Sequence, residues 1–397
     1  MALKICVVGQ GYVGLPLALS FAECGYRVFG VDNDIEKVNK INIGQSPVED
    51  INDARLSRVI NEGSFTVTND YAILKGANVI IICVPTPLDR NHKPDLSHLF
   101  NCITSISKYI SKGDLLIVES TVAPGTIKNY VVPLLEKESG IKIDNFDIAY
   151  SPERIDPLNK KWNLKNTTKI VAGFTEASKI RAKELYLSII DNVVESNSVE
   201  AAETAKLLEN SFRLVNISLI NEISIFCRMY GIDVTEVIRL AATKPYGFMP
   251  FYPGLGAGGH CIPVDPLYLA DKSREIGIPL NIIEAADSIN RNMPKHFINV
   301  VEDKLRNLNK KRILVIGVSY KPNVADVRET PVEALIEGLR QKGAQVVWHD
   351  ELVKEWNGEK SVTLSSDFDL AIIATPHDYF DLTKLGNVPI LNTRGSI

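Results

Sequence analysis

No apolar run in the 397 residues approaches the ~18 that a membrane span requires; stretches such as VIIICV at 79–84 and LLIV at 115–118 have the length of a strand. No charged leader with a long apolar core and a small-residue cleavage site precedes MALKICVVGQGYVG. A secretory leader and a membrane partner are therefore not expected, and a cytoplasmic location is. The six cysteines, at 6, 24, 83, 102, 227 and 261, form neither CxxC pairs nor a compact cluster. This spacing argues against a disulfide frame or a zinc site and for reduced thiols, so no metal is expected. A net charge of −4 supplies no basic field, which argues against a nucleic-acid partner while leaving room for a local anion site. Short-period repeats and low-complexity segments are absent as well.

What is present is the composition of a folded globular protein, with 45% apolar and 23% charged residues. The length implies two or three domains. The first half alternates apolar strand-like runs (LKICVVG, RVFGVD, VIIICV, LLIVES, DIAYSP, TKIVAG) with helical patterns, as a parallel sheet covered by helices does. From 199 to 242 the apolar residues take helical spacing with few breakers before Gly231, predicting a long helix and then a shorter one. A loop rich in glycine and proline (244–266) interrupts, helical sequence resumes to about 305, and strand and helix alternate again from KRILVIGVSYKPN at 311–323. The plan is two doubly wound α/β domains of Rossmann type joined by a central helical domain with a long connecting helix. Apolar residues on more than one face of that helix predict a homodimer.

GQGYVG at 9–14 follows the first strand and opens an amphipathic stretch. In such a GxGxxG turn Gly9 permits the bend, Gly11 lets the backbone approach a pyrophosphate, and Gly14 lets helix and strand pack. Asp32 closes the second strand, 18 residues after Gly14, where a carboxylate can accept hydrogen bonds from a ribose hydroxyl. The next residues are Asn33 and Asp34, not an arginine that could hold a 2′-phosphate, so NAD is expected rather than NADP. CVPTP at 83–87, ESTVAPGT at 119–126 and YSPERIDP at 150–157 all follow strands. In an open α/β sheet such loops share the ligand edge; taken alone, CVPTP reads equally as a proline-punctuated loop, and a capped helix start or turn is the better account of each of the other two.

Cys261 sits in GGHCIPVD. A thiolate there could attack an aldehyde, and the adduct could lose hydride to become a thioester; a buried structural cysteine fits the same stretch. Lys206 and Asn210, at i and i+4 in ETAKLLENSF, share one helix face, where a lysine can stabilise an alkoxide or simply reach water.

The ordered set GxGxxG, CVPTP, ESTVAPGT, YSPER, ETAKLLENSF, FYPGLGAGGHCIPVDP and GVSYKPNVADVRETP resembles the UDP-glucose/GDP-mannose dehydrogenase family across essentially the whole chain. The resemblance implies a UDP-sugar substrate whose C6 alcohol is oxidised to the acid with two NAD per turnover. It implies Cys261 as nucleophile, Asp265 as the carboxylate that helps activate water, Lys206 and Asn210 as oxyanion partners, Thr121 as a water ligand and Glu153 as acid/base. Tyr12, Val13, Pro85, Thr86, Thr121 and Arg328 join the glycines and Asp32 around the cofactor. Glu153, Arg154, Lys206, Asn210, Phe251, Tyr252, Gly258 and Lys321 line the substrate. The corresponding domains are 1–195 for NAD, 196–300 for the helical dimerisation region with Lys206 and Cys261, and 301–397 for the UDP-sugar. YSPERIDP together with HCIPVDP is similar to the UDP-N-acetylhexosamine branch, with UDP-N-acetylglucosamine expected first, then the manno and galacto epimers and UDP-glucose. Products of that branch feed capsule and O-antigen polysaccharides. Asn392 departs from the family, which commonly has an aspartate there. A non-catalytic nucleotide-sugar binder would have no use for the cysteine, and a two-electron alcohol dehydrogenase would stop after one hydride.

Overall fold

The computed structural model describes residues 3–156, 159 and 161–395, so Pro157 of YSPERIDP lies outside the described residues. The chain divides into two compact units, Met1–Leu208 and Glu209–Ile397.

The first unit opens with β1 (Lys4–Val8), α1 (Gly14–Glu23), β2 (Arg27–Val31), α2 (Ile35–Asn42), α3 (Asp53–Asn61) and β3 (Phe65–Thr68). It continues with β4 (Val79–Ile82), α4 (Ser97–Ser107), β5 (Leu115–Val118), α5 (Val132–Ser139) and β6 (Asp147–Tyr150). β7 (Lys169–Gly173), α6 (Glu176–Leu187), β8 (Val193–Glu195) and the first part of α7 (Val199–Tyr230) complete it. The eight strands lie in the order β3-β2-β1-β4-β5-β6-β7-β8. β1 through β6 are parallel, as the alternation of strand and helix predicts. β7 departs from that expectation and runs antiparallel to β6. No helix pattern separates those two strands in sequence, so the crossover needed for a parallel partner is missing.

Continuous apolar strands explain why the sheet is covered on both faces: Val79, Ile80, Ile81 and Ile82 are all buried, and they divide between the two cores. Along α1 Leu15, Leu17, Leu19 and Phe21 have no exposed surface, and the helix ends before Gly25, whose φ of 87° continues the turn a side chain would resist.

The second unit contains the rest of α7, then α8 (Val234–Ala241), α9 (Asp265–Glu275), α10 (Asn281–Leu305), β9 (Arg312–Ile316), α11 (Val332–Gln341) and β10 (Gln345–His349). A two-residue hairpin of β11 (Glu355–Trp356) and β12 (Glu359–Lys360) precedes β13 (Leu370–Ile373) and β14 (Ile390–Asn392). Its main sheet is parallel in the order β10-β9-β13-β14. α10 and α11 close one core over it through Phe297, Val301, Leu335 and Leu339. The long helix ends at Tyr230, where Gly231 takes φ 71°. The short strands β3, β8 and β14 carry too few residues for a periodic signal and were not anticipated. Among the described residues no helix is long and apolar enough to cross a membrane.

Candidate active site

Parallel pairing of β1, β4, β5 and β6 brings their carboxyl ends to one edge, so Gly9, Cys83, Glu119 and Ser151 follow one another along it. Gly9 has φ 93°, and a Cβ there would lie 2.6 Å from the Cys83 carbonyl oxygen. A Cβ on Gly14 would lie 1.8 Å from the Gly9 carbonyl oxygen. Both glycines are therefore demanded by the fold itself. Gly11 differs, because its missing side chain faces open space with no atom within 4 Å. Together with Tyr12 and Val13 leading into α1, it forms a bare backbone cradle at a helix N-terminus, which fits a pyrophosphate.

Asp32 completes the fit to a dinucleotide. Its carboxylate accepts from the Gln10 amide at 2.7 Å, the Asp34 amide at 3.0 Å and Lys37 Nζ at 2.9 Å. Two fixed backbone donors orient it, while the third partner is a lysine side chain that a ribose can replace. Lys37 has no counterpart in the sequence reading, which looked only at the two residues after the acid.

At the next loops, Thr86 is buried and Pro85 exposed, and Ser120 Oγ donates to the Val84 carbonyl at 2.6 Å, tying CVPTP to ESTVAPGT beside half-buried Thr121. Glu203, wholly buried on α7, accepts from the amides of Gly125 at 2.6 Å and Ile127 at 3.0 Å. The first acid of ETAKLLENSF thus holds the end of ESTVAPGT, a role its quoted motif did not disclose. Glu153 is buried with Lys206 Nζ 3.6 Å from its carboxylate. Burial pushes the Glu153 carboxyl above the ordinary carboxylate range, with the Lys206 and Lys169 cations opposing. Arg154 turns to the Thr168 carbonyl at 2.7 Å.

In the second unit Asn210 Nδ2 donates to Asp265 Oδ2 at 2.6 Å, and both residues are buried. The Asp265 amide donates to the Cys261 carbonyl at 2.9 Å, which fixes half-buried Cys261 one turn before α9. The loop before it is held by two buried asparagines that the sequence reading missed: Asn221 accepts from the Gly254 amide at 2.9 Å, and Asn290 from the Ala257 amide at 2.6 Å. Phe251 packs edge-on against Phe212 of α7, and Tyr252 is exposed.

A Cβ on Gly258 or Gly259 would meet Tyr320, at 2.8 Å and 2.7 Å, so these glycines let the cysteine loop pack on the loop that carries Lys321. Arg328 engages Asp326 through its guanidinium, and its carbonyl accepts from the Gly259 amide at 3.1 Å. Lys321 is half-buried. No group of three or more His, Cys, Asp or Glu that could hold a metal occurs among the described residues.

Comparison with known proteins assigns each part. Residues 3–190 match the NAD binding domain of the UDP-glucose/GDP-mannose dehydrogenase family, 200–292 its central domain and 314–394 its UDP binding domain. The chain belongs to that family. Like its members, it is an NAD-dependent nucleotide-sugar dehydrogenase with parallel-sheet domains of Rossmann type and a central helical region. A family member from Pyrococcus horikoshii, UDP-N-acetyl-D-mannosamine dehydrogenase, is 36% identical over 95% of this chain and 90% of its own length. The UDP-N-acetyl-D-glucosamine 6-dehydrogenase of Pseudomonas aeruginosa is 38% identical over 87% of this chain and 82% of its own. The solved structure of UDP-D-ManNAc dehydrogenase from Pyrococcus horikoshii superposes with a TM-score of 0.91 at 34% identity, covering 99% of this chain and 95% of that one.

Proposed function

We propose that this dehydrogenase oxidises the C6 alcohol of a UDP-N-acetylhexosamine to the uronic acid, with UDP-N-acetylglucosamine the preferred epimer. Relatives named for the gluco and manno epimers, at 38% and 36% identity, support the class. The observation that carries the chemistry lies on α7. Lys206, beside buried Glu153, and Asn210, bonded to buried Asp265, stand one helical turn apart on a single element.

Bound NAD supplies the hydride acceptor for each of two oxidations. As the first C6 hydride departs, the hydroxyl proton passes through water near Lys206 and Asp265. The Cys261 thiolate then adds to the aldehyde carbon, and Lys206 Nζ and Asn210 Nδ2 are the donors for the oxyanion so formed. Loss of a second hydride leaves a thioester. Water, held by Thr121, adds to its carbonyl carbon while Glu153 takes the proton; the carbon–sulfur bond breaks, sulfur leaves as thiolate and the acid is released. Lys321 and Arg154 serve the nucleotide sugar, and Arg328 the cofactor. The exposed apolar side chains of α7, Leu208, Phe212, Leu219, Phe226 and Met229, support a homodimer, which light scattering at micromolar concentration tests against a monomer.

Release of NADH across UDP-N-acetylglucosamine, the manno and galacto epimers and UDP-glucose, counted per sugar consumed, is the decisive assay. Two NADH per sugar and the highest kcat/KM on UDP-N-acetylglucosamine are expected. One NADH per sugar refutes the double oxidation, and a tenfold preference for the manno epimer refutes the epimer alone. Cys261→Ser is expected to lower steady-state NADH production by roughly 10³-fold with an unchanged melting profile. Retention of most of the activity would make the enzyme a two-electron dehydrogenase.

A further inference from the structure

Behind Glu153 the first unit buries a second pair of charges. Lys169, the first residue of β7, and Glu119, the residue after β5, are 4% and 2% exposed, and Lys169 Nζ lies 2.7 Å from Glu119 Oε2. Tyr186 of α6 donates its hydroxyl to the other oxygen of that carboxylate. The same tyrosine ring lies 5.1 Å below the Lys169 ammonium. A cation, an anion and a phenol thus satisfy one another out of contact with water. A buried ion pair contributes little stability relative to apolar residues of similar volume, because desolvation offsets the attraction. Packing alone gives no reason for charges at these positions.

Proximity supplies the reason. In the antiparallel pairing of β6 and β7, Ala149 faces Gly173 and Tyr150 faces Ala172. Beyond the end of β6, Ser151 Oγ donates to the Ile170 carbonyl at 2.8 Å and Arg154 to the Thr168 carbonyl at 2.7 Å. These two bonds keep the segment that carries Glu153 alongside the start of β7, where Lys169 stands.

We propose that the Lys169–Glu119 pair, locked by Tyr186, is the positioning element that sets the electrostatic environment of Glu153. The proposal rests on the reading of Glu153 as the acid/base of thioester hydrolysis. Among the described residues of the first unit, the charged and titratable groups around Glu153 are Lys206 from α7, Lys169 from β7, Glu119 after β5, Cys83 after β4 and, through Glu119, Tyr186 from α6, and the Ile155 amide donates to its carboxylate. Burial pushes the Cys83 thiol and the Tyr186 phenol well up, so both are neutral near pH 7. Two cations therefore favour the Glu153 carboxylate and one anion opposes it. Glu119 decides how much of the Lys169 charge Glu153 feels.

The test is the pH dependence of kcat with UDP-N-acetylhexosamine and saturating NAD, in four variants. Lys169→Met leaves Glu119 unopposed, so the acidic limb is expected to move to higher pH by roughly half a unit or more. Glu119→Gln frees the Lys169 charge for Glu153, so the limb moves the other way. The double variant Lys169→Met/Glu119→Gln falls between the two single variants. Glu119→Gln keeps the side-chain volume and an acceptor for Tyr186, so it still tests the idea should Lys169→Met fail to accumulate. A pair that only stabilises the fold lowers the melting temperature and moves neither limb, which overturns the proposal, as does a shift of both single variants in one direction. Glu153→Gln separates the two readings. If it retains the limb and the rate, the acid/base assignment falls and takes this proposal with it; if it removes them while the pair variants stay silent, only the pair is refuted.

Discussion

Each unit begins its parallel sheet with the same local device and then uses it differently. β1 runs into Gly9, with φ 93° and its amide 2.8 Å from the Val31 carbonyl; β9 runs into Gly317, with φ 82° and its amide 2.9 Å from the His349 carbonyl. The amide after each glycine reaches the acid that closes the neighbouring strand, Gln10 to Asp32 at 2.7 Å and Val318 to Asp350 at 3.0 Å. From that point they diverge. Asp350 is 1% exposed and accepts from Val318, Leu352, Val353 and His377, which fills about four acceptor positions of a carboxylate. His377 takes the Asn323 amide on Nδ1, so its proton lies on Nε2 and points at Asp350. Asp32, 9% exposed, has a side-chain ammonium as its third partner. After Gly9 a helix starts at Gly14; after Gly317 a loop runs to Val332. One acid keeps capacity for a ligand, whereas the other is used up in holding its own loops.

The most disruptive way to test that contrast is Asp350→Ala, which strands three amides and a histidine and is expected to cost about 4 kcal/mol in urea unfolding. The KM for NAD of the protein that remains folded should be unchanged. In Asp32→Ala the larger effect should fall on the cofactor. Loss of two hydrogen bonds to ribose hydroxyls, at about 1 kcal/mol each, weakens NAD roughly 30-fold by titration, while the stranded Gln10 and Asp34 amides lower the urea midpoint by less than the four donors lost with Asp350.

Asp350 also carries a pH signature of its own. Burial pushes the Asp350 carboxyl up, but hydrogen bonds from His377 and from the Val318 and Val353 amides outweigh it and hold it below its ordinary value of 3.8. A group whose value falls on folding stabilises fully above its unfolded value and loses that contribution as pH drops through the folded one. The Asp350 contribution should therefore be constant above about pH 4 and disappear below it, and Asp350→Asn should flatten that part of the urea-midpoint curve between pH 5 and 2. The smallest effect belongs to Lys37→Ala, whose partly buried pair with Asp32 is expected to contribute less than about 1 kcal/mol.

Much of the layout was legible in the residues because its causes are local. The tight turn at Gly9, the acid at the end of β2 and the stop of α7 at Gly231 follow from steric rules and periodicity within a few residues. The direction of β7 was harder, since it depends on the absence of a crossover rather than on the strand itself. Glu119 stood in a quoted motif and Lys169 in a quoted strand, yet nothing in either stretch shows that they meet. They are separated by 50 residues.

By itself, then, the sequence determined the two α/β units, the long helix, the dinucleotide turn and the spacing of Lys206 and Asn210, all of which short-range sterics and helical geometry dictate. Only the tertiary structure decided which acids retain acceptor capacity, that Tyr320 occupies the space left by Gly258 and Gly259, and that Glu153 sits before a buried ion pair. Burial and pairing of charges depend on strand order and register, and those are set by the packing of the whole sheet.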